Sequence, residues 1–153
     1  MRIQFIWLIC LMALQVNLYA LAAPTDTKCF AQASARYGVP VALLRAVSRV
    51  ESGGNATAVN INKNGSADYG HMQVNSYWLP TLAKFGISKT QLMDACTNTH
   101  VGAWIMASNI SRMGYNWQAI GRYNASSVYK ANLYSQKISL ALNTETKNFG
   151  VKN

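Results

Sequence analysis

Acidic residues are scarce in this chain. Among 153 residues there are five carboxylates, Asp26, Glu51, Asp68, Asp94 and Glu145, against fourteen lysines and arginines. Charged residues make up 12% of the sequence, about half the usual share, while the hydrophobic fraction is an ordinary 50%. That hydrophobic content excludes a disordered chain. The shortage of carboxylates excludes sites built from clustered acids, such as an EF-hand or a carboxylate di-metal centre. The two histidines, His71 and His100, are isolated and the three cysteines match no zinc spacing, so no metal site is expected. Any acid–base chemistry must come from very few groups. The net charge is +9, yet the basic residues form no run. A run would have favoured nucleic acid; its absence leaves an anionic surface or polymer as the better partner.

The first 22 residues read as a secretory signal peptide. Met-Arg opens the chain, an apolar run follows, and Ala20-Leu21-Ala22 supplies a small-x-small cleavage site. A transmembrane anchor is the alternative, but Gln15 and Asn17 break the apolar stretch and leave it short for a span. No later stretch is long and apolar enough to insert stably in a membrane. Cleavage removes Cys10 and leaves Cys29 and Cys96, an even count that reads as one disulfide in an oxidising compartment, with two buried free thiols as the alternative.

The remainder reads as one domain, residues 23–142, followed by a polar, flexible tail at 143–153. Helices are predicted at 28–37, 41–51, 76–85, 98–113, 116–122 and 126–142, with Leu43, Leu44, Val47 and Val50 on one stripe of the second. Residues 52–69 are rich in Gly, Asn and Ser and predict an ordered loop or a hairpin turning at Asn64-Gly65. The fold class is α+β and predominantly α-helical.

Glu51 falls four residues after Val47 and seven after Leu44, on the apolar stripe, and it directly precedes the breaker Ser52-Gly53-Gly54. Burial and the negative end of the helix dipole both disfavour its charged form, so its pKa should be raised. A carboxylic acid that holds its proton near neutrality is what a general acid requires. A glutamate satisfied by an arginine at a helix end is the blander reading.

Three blocks then follow one another: Glu51-Ser52-Gly53-Gly54-Asn55, Gly70-His71-Met72-Gln73-Val74-Asn75 and Tyr123-Asn124-Ala125. In this order and spacing they resemble the lytic transglycosylase domain of the soluble lytic transglycosylase (SLT) type, a relative of goose-type lysozyme. That family's usual blocks are Glu-Ser, Gly-Leu-Met-Gln and Ala-Tyr-Asn. The resemblance covers residues 28–142 and implies a lysozyme-like single domain with a small loop or hairpin region beside the cleft. The small size, the leader and the Cys29/Cys96 pair look most like the stand-alone enzymes that accompany secretion systems, conjugation systems and type IV pili.

The resemblance implies a periplasmic enzyme, without a cofactor, acting on peptidoglycan glycan strands. Glu51 would protonate the oxygen between N-acetylmuramic acid and N-acetylglucosamine, then take the proton of the C6 hydroxyl that attacks C1 to give a 1,6-anhydro product. Ser52 would orient the glutamate or contact the substrate's acetyl group. Met72 and Gln73 would line the cleft, and Tyr123 with Asn124 would close its far wall. Without the resemblance, Tyr123 and Asn124 read equally as a helix-end tyrosine and a cap. His71 stands where the family has leucine; it would face the cleft or point outward.

Asp68, 17 residues after Glu51, lies just before the second block. It is a possible second carboxylate across the sugar, as in two-carboxylate lysozymes, or an aspartate that holds its own loop. A hydrolytic muramidase using Glu51 and Asp68 and a non-catalytic wall-binding component of a transport apparatus are the competing readings. A nucleic-acid binder lacks a recognition motif.

Overall fold

The computed structural model describes residues 25–148; the expected signal peptide and the last five residues of the expected tail lie outside the described residues. Helix α1 (Thr25–Tyr37) ends at Gly38, whose φ of 69° turns the chain, and Pro40 opens α2 (Val41–Ser52). Leu43, Leu44 and Val47 are buried along α2, as the stripe predicts, and Val50 is half-buried; Ala46, off the stripe, is buried too. Gly53, at φ 66°, stops the helix and returns its N–H to the Arg49 carbonyl.

The Gly/Asn/Ser stretch folds into a small antiparallel sheet. Strand β1 (Val59–Ile61) pairs with β2 (Ala67–Tyr69), with Asn60 opposite Asp68, around a turn that includes Asn64-Gly65. Strand β3 (Val74–Asn75) extends the sheet in the order β1-β2-β3, with Asp68 opposite Asn75. The second motif block thus enters the sheet.

A 3₁₀ turn (Ser76–Trp78) and α3 (Leu79–Ala83) replace the single helix expected at 76–85. The turn expected next contains a one-turn helix, α4 (Lys89–Leu92), fixed by a capping box between Ser88 and Gln91. Helix α5 (Ala95–Met113) runs through the core, with Val101, Ala103, Ile105 and Met106 buried; Asp94 caps it by accepting from the Thr97 N–H at 2.8 Å. Helix α6 (Trp117–Gly121) leads to α7 (Val128–Asn148), which packs against α2 and α6.

The last helix continues six residues past its expected end at 142. Glu145, within the segment expected to be a flexible tail, is 2% exposed and forms an ion pair with Arg49 of α2. A partner 96 residues away supplies what local composition does not show.

Cys29 of α1 is bonded to Cys96 of α5, with Cα atoms 5.2 Å apart. Closing a loop of 67 residues removes unfolded-state entropy worth about 4 kcal/mol in the chain-entropy model. A Cys29→Ser/Cys96→Ser protein should therefore melt ~10 °C or more below the parent. Thermal denaturation checks this, and a melting point within a degree or two would contradict it.

Candidate active site

Glu51 occupies the last turn of α2, where the apolar stripe meets the cleft. A cavity of about 610 Å³ opens in front of it, lined on one side by the sheet (Asp68, Gln73, Asn75) and on the other by Tyr123, Asn124 and Lys130. Burial raises the pKa of Glu51 above the ordinary carboxylate value, and the charge of Asp68 adds to the rise. Hydrogen bonds from Tyr134 and Asn124, and the charge of Lys137, oppose it without reversing it. The Tyr134 hydroxyl donates to Glu51 Oε1 at 2.6 Å.

Both tyrosines near the acid are held as phenols. Burial, then the charge of Glu51, pushes Tyr123 and Tyr134 well above the usual phenol value. Their rings stack with centroids 6.5 Å apart, and the Tyr123 hydroxyl donates to the Met72 carbonyl at 2.8 Å. The third block is thereby tied to the second, directly beside Glu51.

Asp68 projects from the middle strand into the same cleft. Its Oδ1 accepts from Asn75 Nδ2 at 2.6 Å, and its Oδ2 accepts from Asn62 at 2.9 Å and Asn60 at 3.3 Å. Three side-chain amides hold this carboxylate in place on the sheet.

Gln73 has φ 48°, in the left-handed region that a non-glycine residue adopts only at a cost. Its own side chain fixes the bend, Nε2 donating to the Gly70 carbonyl at 2.8 Å. The bend presents Gln73 and Val74 to the cleft.

Met72 and His71 stand elsewhere than expected. The Met72 side chain does not line the cleft; it is fully buried, packed so close to Gly102 that a Cβ there would lie 2.7 Å from Met72 Cε. Ser52 Oγ donates to the His71 carbonyl at 2.9 Å and to the Ser48 carbonyl at 3.4 Å. His71 neither faces the cleft nor points outward: it is 2% exposed and lies between α2 and α5. A polar ring can occupy the core because both nitrogens find partners.

Sequence reasoning missed two residues. Tyr134 falls at helical spacing with Ala131 and Ile138, where the sequence reads it as a packing residue. The signal was its hydroxyl, since a buried phenol needs a hydrogen-bond partner. Asn98 is fully buried; its Oδ1 accepts from the Met72 N–H at 2.8 Å, and its Nδ2 donates to the carbonyls of Tyr69 and Leu92. It fixes the backbone of the second block from below, and no local pattern marks it.

Tyr134→Phe should raise the pKa of Glu51 further, because the lost bond favours the carboxylate. NMR titration of the Glu51 side-chain carboxyl checks the direction. An unchanged or lowered midpoint would contradict it.

A predominantly helical domain with a three-stranded sheet beside a cleft, and a glutamate whose pKa burial raises on a helix end within it, is a lysozyme-like α+β domain. Residues 28–141 match the family described as Transglycosylase SLT domain, and the chain belongs to that family. It is 33% identical over 130 residues to Protein IpgF of Shigella flexneri, an alignment covering 78% of this chain and 86% of that protein. It is 40% identical over 98 residues to Invasion protein IagB of Salmonella typhimurium (strain SL1344), covering 63% of this chain and 61% of that protein. With X polypeptide of Escherichia coli (strain K12) it shares 38% identity over 100 residues, 65% of this chain and 59% of that protein.

Proposed function

We propose that this protein is an exported peptidoglycan lytic transglycosylase, acting in the periplasm and opening the wall locally for a secretion, conjugation or pilus apparatus. The observation that carries the reading is Glu51: one carboxyl whose pKa burial raises, in an open cleft, within a family of transglycosylase domains. The leader at residues 1–22 supports export, and the name of the Salmonella relative, an invasion protein, supports a role beside a secretion apparatus.

The chemistry follows from one group working twice. Protonated Glu51 gives its proton to the oxygen linking C1 of N-acetylmuramic acid to C4 of N-acetylglucosamine, and the C1–O bond breaks. The Glu51 carboxylate then accepts the proton of the C6 hydroxyl as that oxygen bonds C1. The product is 1,6-anhydromuramic acid, Glu51 is protonated again, and water is not consumed. The hydrogen bonds from Tyr134 and Asn124 stabilise the carboxylate stage. Gln73 and Asn75 offer amides to sugar hydroxyls, and Trp78 offers an aromatic face.

Purified sacculi provide the test: the protein should bind them and release soluble fragments. Binding without release would leave the wall-binding reading standing instead.

A hydrolytic muramidase is the second reading, favoured by the placement of Asp68 in the cleft that holds Glu51. Asp68→Asn that keeps full lysis would remove it. The three amide bonds to Asp68 favour a loop-holding role, so this variant should lose less activity than any change at Glu51.

A further inference from the structure

His71 lies deep between α2 and α5, and its hydrogen bonds select the tautomer of the neutral ring. Nε2 stands 3.0 Å from the Ala95 carbonyl, which can accept and never donate, so Nε2 carries the hydrogen. The Thr99 hydroxyl, also 3.0 Å from Nε2, donates to the same carbonyl at 2.8 Å. In the neutral ring Nδ1 is then the acceptor, and the Ser48 hydroxyl 2.8 Å away is its donor. Ser48, His71 and Thr99 are 5%, 2% and 1% exposed, so these bonds form away from water, where an unmet polar group is costly.

The same residue grips α2 a second time. Ser52 Oγ donates to the His71 backbone carbonyl at 2.9 Å. Ser48 and Ser52 bracket Glu51 on the last turn of α2, so ring and backbone of one residue hold the turn that carries the acid. The neighbouring Met72 carbonyl holds Tyr123, which stacks on Tyr134, the donor to Glu51. A leucine at position 71 would fill space but leave Ser48 without this acceptor.

We propose that His71 is a positioning residue for Glu51, its Nδ1 and its carbonyl fixing the last turn of α2 through Ser48 and Ser52. This rests on the reading of Glu51 as the acid. A turn released by one bond misplaces the carboxyl by a fraction of an ångström to an ångström, which costs about ten- to a hundredfold in rate.

Two amide substitutions separate the ring's two ends. His71→Asn puts an amide where Nδ1 stands and can still accept from Ser48. His71→Gln reaches towards Ala95 and Thr99 and abandons Ser48. On sacculi, His71→Gln should lose about tenfold or more in kcat with KM little changed, and His71→Asn should stay within about threefold of the parent. Ser48→Ala should match His71→Gln, and the two combined should be no worse than either alone. Hydrogen exchange at the amides of Gly53 and Gly54, which bond Arg49 and Ser48, gives a readout independent of activity: about tenfold faster in His71→Gln, unchanged in His71→Asn. Losses in kcat that track melting temperature alike in both variants, additive losses in the double variant, or unchanged exchange in His71→Gln would overturn the proposal. If the parent releases nothing from sacculi, the reading of Glu51 fails, and the exchange rates still decide whether His71 holds the turn.

Discussion

Glu51→Gln is expected to lower the rate of wall lysis by about a hundredfold or more, the range general acid–base groups supply, while the protein still binds sacculi. The amide keeps the shape of the side chain and can still accept from Tyr134, so the fold should survive. Stability should in fact rise in a pH-dependent way. The folded pKa of Glu51 lies above its unfolded value, so the native state binds more protons than the unfolded state between the two. Stability is therefore lost as pH rises through that window, and the loss persists above it. Glutamine has no such dependence. The melting point of Glu51→Gln should exceed the parent's most at pH 8 and least at pH 4. A variant that lyses sacculi at the parental rate, or one less stable than the parent at pH 8, would contradict this account.

Gly70→Ala should be the most damaging small substitution in the second block. Gly70 has φ 70°, and a Cβ there would lie 2.4 Å from Nδ2 of the fully buried Asn98. Asn98 cannot move aside without releasing the Met72 N–H and the carbonyls of Tyr69 and Leu92. Left-handed strain of about 1 kcal/mol and overpacking of about 1–3 kcal/mol add to about 2–4 kcal/mol. That corresponds to a melting point lower by ~10 °C. Lysis should fall with it, because the same backbone presents Gln73 to the cleft. Gly65→Ala serves as the comparison: φ is 83° there, but nothing lies within 4 Å of the added carbon, so only the strain is incurred. Equal melting points for the two variants would refute the role given to Asn98.

The parts of this fold legible in the sequence are those set by short-range physics. The stripe of α2, the breaker after Glu51 and the turn at Asn64-Gly65 each follow from residues within one or two turns of one another. The raised pKa of Glu51 follows the same way, from its position on an apolar stripe. What sequence reading missed depends on distant partners. Tyr134 reaches Glu51 across 83 residues, and Asn98 reaches Tyr69 across 29. The end of α7 looked too polar to fold because Arg49, which neutralises Glu145, belongs to another helix. His71 was expected to face the cleft or point outward; Ser48, Ala95 and Thr99 make its burial tolerable. Met72 was placed at the cleft by its motif, while the small Gly102 opposite it draws the side chain into the core.

The central claim is that Glu51 acts alone and the substrate supplies its own nucleophile. Digesting purified sacculi in ¹⁸O-labelled water and reading the released muropeptides by mass spectrometry tests it most directly. The account predicts 1,6-anhydromuramyl ends, one water lighter than the hydrolytic product and free of label. Reducing ends carrying ¹⁸O would contradict it and would move Asp68 from loop support into the reaction.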